Sequence, residues 1–253
     1  MLPVYAAGLP DLPARLWVEG TLPPTPGVAI VGSRRSTSYG DRIARSFAAA
    51  VVQCGWPVIS GLARGIDGVA HRACLDAGGT GWAVLGSGLD TVYPKQHEAL
   101  ARRLVATGGG LLSEYPPGTP PAPFRFPARN RIIAALSAVT VVVEAAVDGG
   151  ALITARLALE MGREVLVVPG DIDRLVSQGC NLLIRDGAHP VLGAVDLVEL
   201  LSFVMGPPPI PIEAQVEKVR LNASDLPIEA LLARNDAPVA ETLAGLIRQQ
   251  LRE

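Results

Sequence analysis

Short apolar runs that end in glycine or serine alternate with longer amphipathic stretches along most of the chain. The first run, Val28-Ala29-Ile30-Val31, stops at Gly32 and is followed by an alanine-rich helical pattern over residues 39–54. The alternation recurs with a run at 58–60 before a helical stretch near 65–77, and a run at 81–85 before one near 94–107. Further strands are expected at 111–114, 139–143 and 165–168, with a helix at about 151–161 between the last two and a terminal helix near 194–205. Continuous apolar strands separated by helices indicate a parallel sheet covered on both faces. The crossovers should be right-handed. The pattern therefore predicts a doubly wound, mostly parallel α/β domain over 27–205, preceded by a lead-in at 1–26. Pro207, Pro208, Pro209 and Pro211 mark a semi-rigid linker at 206–215. Residues 216–253 read as a small C-terminal helical appendage, too short to build a core of its own.

A chain of 253 residues accommodates one main domain. Although 49% of it is hydrophobic, its longest uncharged apolar run, 132–143, falls short of the roughly 18 residues of a membrane span. The first residues carry no export signal, so a cytoplasmic location is expected. Cys54, Cys74 and Cys180 are far apart and in no metal-like spacing, which points to buried thiols and no metal. The net charge of −2 does not advertise a nucleic-acid partner. Its distribution changes the picture: of 22 basic residues only Lys95 and Lys218 are lysines, and arginines gather at 34–35 and 125–131 in what read as loops. The planar guanidinium suits phosphate and stacks on bases.

Ligands of open parallel sheets bind beyond the carboxyl ends of the strands, near the topological switch. The first such loop carries Gly32, Ser33, Arg34 and Arg35, a small-residue turn into a helix whose free N–H groups favour an anion. The second carries Ser60, Gly61, Arg64 and Asp67. The dinucleotide fingerprint is absent from the first loop and no acidic residue ends the second strand, so NAD is a poor fit and no cofactor is expected. These glycines are equally compatible with tight turns. A segment with five prolines between Pro116 and Pro123 leads into Phe124, Arg125, Phe126, Arg129, Asn130 and Arg131. Alternating rings and cations suit a single-strand platform, where bases stack and arginines track phosphates. The competing reading places Phe124 and Phe126 in the core edge and the arginines on a solvated face.

These motifs together resemble the DNA-processing protein A family, also called Smf. The likeness runs from about Leu16 to Phe203 and includes Val28 to Arg34, Ser60 to Asp67, Leu112 to Thr119, Phe126 to Ile133 and Val168-Pro169-Gly170. It implies an extended Rossmann-like fold, binding of single-stranded DNA, a homodimer, and loading of RecA recombinase during natural transformation. By position, Gly32, Ser33 and Arg34 match the family's first phosphate loop, and Ser60, Gly61 and Arg64 its second. Phe126, Asn130 and Arg131 match its base pocket, with Arg125 in place of a lysine found in some relatives. Where the family usually reads Ser-Gly-Ser-Leu-Ile-Thr-Ala, this chain has Gly149 to Ala155, losing two hydroxyls while keeping Gly150 and Thr154. The resemblance implies no catalysis. The alternative is a phosphoribohydrolase-like enzyme using Asp67, Glu114 or Glu144, but Asp67 and Glu114 are expected to cap helices or pair with arginines.

Overall fold

In the computed structural model, which describes residues 3–210, period-two alternation along the strands divides the core between two faces. Every residue of β2 (Gly27–Val31) is buried. Val28 and Ile30 pack with Phe47, Val51, Ile66, Leu197 and Leu201. Ala29 and Val31 pack on the opposite side with Ile132, Ile133, Leu152 and Leu183. The first face is covered by α1 (Ser38–Gln53), α2 (Ile66–Asp76) and α7 (Ala194–Met205). The second is covered by α4 (Arg125–Leu136), α5 (Gly150–Glu160) and α6 (Leu175–Arg185). A third apolar group joins α3 (Glu98–Ala106) to the sheet through Leu85, Leu100, Leu104 and Leu111.

The remaining strands are β1 (Trp17–Gly20), β3 (Val58–Ser60), β4 (Gly81–Val84), β5 (Gly110–Ser113), β6 (Ser137–Val142), β7 (Glu164–Val167) and β8 (His189–Pro190). They form a sheet in the order β1-β5-β4-β3-β2-β6-β7-β8. All neighbours are parallel except β1 against β5. The doubly wound, Rossmann-like, mostly parallel sheet is therefore present. Because the chain winds from β2 out to β5 and returns to place β6 on the other side of β2, the switch point lies between β2 and β6.

Several elements differ from the sequence reading. The lead-in supplies β1, an exposed edge strand paired with β5, so part of 1–26 belongs to the sheet. The arginine-rich segment after the prolines is the first two turns of α4 rather than a loop. Its apolar end runs directly into β6, which is why 132–143 reads as one hydrophobic stretch. Helix α6, although amphipathic, and the two-residue β8 were not among the expected elements. The first compact unit closes at Pro209, and the expected helices at 216–253 lie outside the described residues. Among those residues no helix is long and apolar enough to cross a membrane, and all three cysteines are buried.

Candidate nucleic-acid interface

The loop after β2 leads into α1, whose N-cap is Thr37, with its hydroxyl accepting from the Gly40 amide at 3.2 Å. This helix start was the expected anion seat, and the protein's own carboxylate fills it. Glu144, buried in the loop after β6, accepts from the Thr37 amide at 2.9 Å and from its hydroxyl at 2.6 Å. A Cβ at Gly40 would meet a Glu144 carboxylate oxygen at 2.3 Å, so glycine is required for this approach. The switch-point crevice is thus closed to phosphate at α1, and the loop offers Ser33, Arg34 and Arg35 further out. Ser33 is half-buried with its hydroxyl accepting from the Arg35 amide, while both arginines are exposed.

Gly65 holds this loop against the one after β3. It has φ +70°, and a Cβ there would lie 2.2 Å from the Ser33 carbonyl, which accepts from the Ile66 amide at 3.2 Å. The two loops consequently form one wall, with Arg64 exposed on it. Gly61 is similarly constrained, because a Cβ would meet the Arg129 guanidinium at 2.5 Å.

That guanidinium is 3% exposed. It donates to the Gly61 carbonyl at 2.6 Å and to the Val84 carbonyl, and its Nε donates to Asn130 Oδ1 at 3.2 Å. Burial lowers its pKa to about 10, so it stays charged at neutral pH, with Asp67 the main opposing influence. Asp67 lies in the first turn of α2 and accepts from the Gly61 amide at 3.1 Å. Burial raises its pKa while Arg129 pulls it back. Arg129 therefore ties the ends of β3 and β4 to α4 from beneath and does not reach a strand lying in the groove.

The same buried layer contains His71 and His97. Burial, followed by the charges of His97 and Arg129, lowers His71 to about 3 from its ordinary 6.5. A histidine held neutral in the fold but protonated in the unfolded chain gives stability that is complete above pH 6.5 and lost as pH falls toward 3. Asp67 acts in the opposite direction, since its raised pKa favours the folded state on acidification. His71→Gln should therefore flatten the fall in urea midpoint between pH 6.5 and 4 relative to the parent protein. An unchanged pH dependence in the variant would show that His71 is not the group responsible.

The ring at the start of α4 is where cations and aromatics meet. Phe126 is half-buried, with the Arg34 guanidinium 5.2 Å from its centroid and the Tyr93 ring 5.4 Å away at 36°. Gly86, after β4, must lack a side chain because a Cβ would lie 2.9 Å from Phe126 Cδ1. Arg125 donates to the Pro120 carbonyl and lies 5.1 Å from the Tyr115 ring and 5.3 Å from that of Phe124, itself 70% exposed. Arg34, Arg35, Arg64, Arg125, Phe124, Phe126 and Tyr93 thus present charge and rings at the carboxyl edge of β2, β3 and β4.

Other predicted site residues serve the framework. The Ser60 hydroxyl is fully buried and donates to the Ile30 carbonyl at 2.7 Å. Arg131 forms a two-pronged pair with Glu114 at 2.7 and 3.0 Å and approaches Asp11 at 3.4 Å, so its charge is already engaged. Asn130 is buried and donates to the Gly150 carbonyl at 3.1 Å. Thr154 is buried and its hydroxyl points back to the same carbonyl at 3.5 Å. Gly150 itself is exposed at the start of α5. The expected pairing of strand-end carboxylates with arginines holds for Glu114 with Arg131, whereas Asp67 accepts from the Gly61 amide and only feels the charge of Arg129. Tyr93 went unassigned as part of this surface, and Glu144 as the group that seats the start of α1. The Tyr93-Pro94 pair, just after the glycine-bearing third loop, was the available signal for the former.

The family model of DNA recombination-mediator protein A matches residues 2–202. The chain belongs to this family. Protein Smf of Escherichia coli strain K12 is 40% identical over 257 residues, covering 95% of this chain and 69% of that protein. The chain spans between 56% and 69% of the length of curated relatives it matches. Among solved structures, DNA processing protein A from Streptococcus pneumoniae superposes with a TM-score of 0.73 at 39% identity, covering 78% of this chain and 70% of that one. DNA processing protein A from Helicobacter pylori gives 0.72 at 28%, covering 81% and 94%, and its structure is described as giving insight into that protein's unique single-stranded DNA binding mode. Family membership and the Rossmann-like fold agree with the resemblance carried by the sequence motifs.

Proposed function

We propose that this chain binds single-stranded DNA along the carboxyl edge of β2, β3 and β4, without catalysing a reaction on it, and passes the strand to a RecA recombinase in the cytoplasm. The observation carrying the reading is the stack of Arg34 on Phe126, contacted by Tyr93 and flanked by exposed Arg35 and Arg64. Exposed rings accept unpaired bases, and guanidinium groups around them neutralise the adjoining phosphates. Duplex bases are already stacked on each other and should bind far more weakly. The Helicobacter pylori relative's described binding mode supports the same ligand class.

A fluorescence anisotropy titration of a labelled unstructured oligonucleotide at several salt concentrations tests the reading. Binding should weaken with salt, with a logarithmic slope near −0.7 for each phosphate contact. Arg34→Ala should reduce both the affinity and the magnitude of that slope, by about 0.7 if it holds one phosphate. Binding unaffected by salt or by this change would remove the basis of the assignment. The enzymatic alternative is disfavoured because Asp67, Glu114 and Glu144 are engaged as described above. Multiple-turnover release of free base from nucleoside monophosphates by the pure protein would restore it. Delivery to recombinase predicts faster RecA filament formation on strands carrying this protein.

A further inference from the structure

Beyond the Phe126 cluster, on the side of Tyr93, lies an open cleft of about 430 Å³ lined by Arg64, Tyr93, Lys95, Glu98 and Pro121 among others. That volume is within the roughly 300–1,000 Å³ range of small-ligand sites. Tyr93 belongs both to this lining and to the contact with Phe126. Ring surface therefore continues from one site to the next. Lys95, one of the chain's two lysines, is exposed and forms no ion pair among the described residues, and Arg64 is exposed as well.

The cleft is held in shape by hydrogen bonds and close packing. Lys95 lies on a single 3-10 turn, Lys95–His97, whose His97 is buried and donates from Nδ1 to the Leu62 carbonyl at 2.9 Å. Leu62 lies two residues before Arg64, so the two cations are carried on segments joined directly to each other. Gly68 admits the imidazole, since a Cβ there would meet His97 Cε1 at 2.6 Å. Asp90 spends its carboxylate on the Gly118 amide at 2.9 and 2.8 Å, which fastens the proline-rich segment that supplies Pro121. Glu98 adds an acceptor suited to the exocyclic amine of a base and unsuited to a phosphate.

We infer that this cleft is a second nucleotide subsite, holding the next unpaired base of the strand against Tyr93 and Pro121 and its phosphate on Lys95 and Arg64. The inference rests on the single-strand reading above and extends it by assigning roles to Tyr93 and Lys95. Its test is an affinity series with labelled oligodeoxycytidylates of stepwise increasing length, comparing the full chain with Lys95→Gln and Tyr93→Ala. For the shortest strands that bind, Lys95→Gln should match the parent. Once the strand is long enough to occupy both sites, the parent should gain affinity that Lys95→Gln lacks, about tenfold, with a salt slope smaller by about 0.7. Tyr93→Ala should lose at least as much on the long strands, and Tyr93→Phe should restore it. Lys95→Gln binding like the parent at every length, while Phe126→Ala still weakens binding, overturns this inference and leaves the first site standing. Equal loss at every length in Lys95→Gln also overturns it, because the lysine would then act through the Phe126 site. Failure of the parent to bind any oligonucleotide removes both readings.

Discussion

Arg129→Ala should lower the stability of the protein by about 3–5 kcal/mol, the cost of removing one partner from a buried, hydrogen-bonded charge system. The change strands the Gly61 and Val84 carbonyls and withdraws the nearest compensating charge from buried Asp67. It also opens a void between α4 and the ends of β3 and β4, where the guanidinium now fills the space facing Gly61. Urea unfolding followed by far-UV circular dichroism gives the measurement. Because Asp67 and Arg129 share one enclosure, Asp67→Ala combined with Arg129→Ala should cost less than the sum of the single changes. A single variant within 0.5 kcal/mol of the parent would mean that Arg129 does not brace the sheet ends.

Phe126→Ala should weaken binding of an unstructured oligonucleotide by about 5- to 150-fold, since loss of one stacking ring costs about 1–3 kcal/mol per base. It removes the surface on which the Arg34 guanidinium lies and the ring that Tyr93 packs against. The salt slope should remain that of the parent, because no phosphate contact is deleted. Combined with Arg34→Ala, the loss should be smaller than the two single losses added, as expected for groups in contact. Gly86 lies beneath the ring, so the truncation leaves a recess at the surface rather than a cavity in the core, and the urea midpoint should shift little. Parent-like affinity in Phe126→Ala would exclude the ring from the site.

The sheet was legible because its central strands are buried on both faces and therefore read as unbroken apolar runs, as Gly27–Val31 does. Strand β1 is exposed throughout and offers no such run. Helix α4 was obscured at both ends, by the prolines before Phe124 and by its fusion to β6. At the candidate site, residue type was enough to single out Arg34 and Phe126, which the fold brings into contact. It does not reveal which way a side chain turns: Arg129 and Arg131 are two positions apart, yet one is enclosed with backbone carbonyls and the other is clasped by Glu114. Nor does Ser60 differ, as a letter, from a serine facing solvent. Such distinctions depend on long-range partners, here Ile30, Glu114 and Glu144, that local sequence does not specify.

The direct passage of α4 into β6 has a consequence for how the protein meets its ligand. With no hinge at that junction, and with Arg129 pinning the opposite end of the helix to two strands, Phe126 moves only as the sheet moves. On the proposed single-strand reading the aromatic seat is ready before the polymer arrives, so the ordering entropy of association should fall on the flexible strand, and encounter should proceed without a slow isomerisation of the protein.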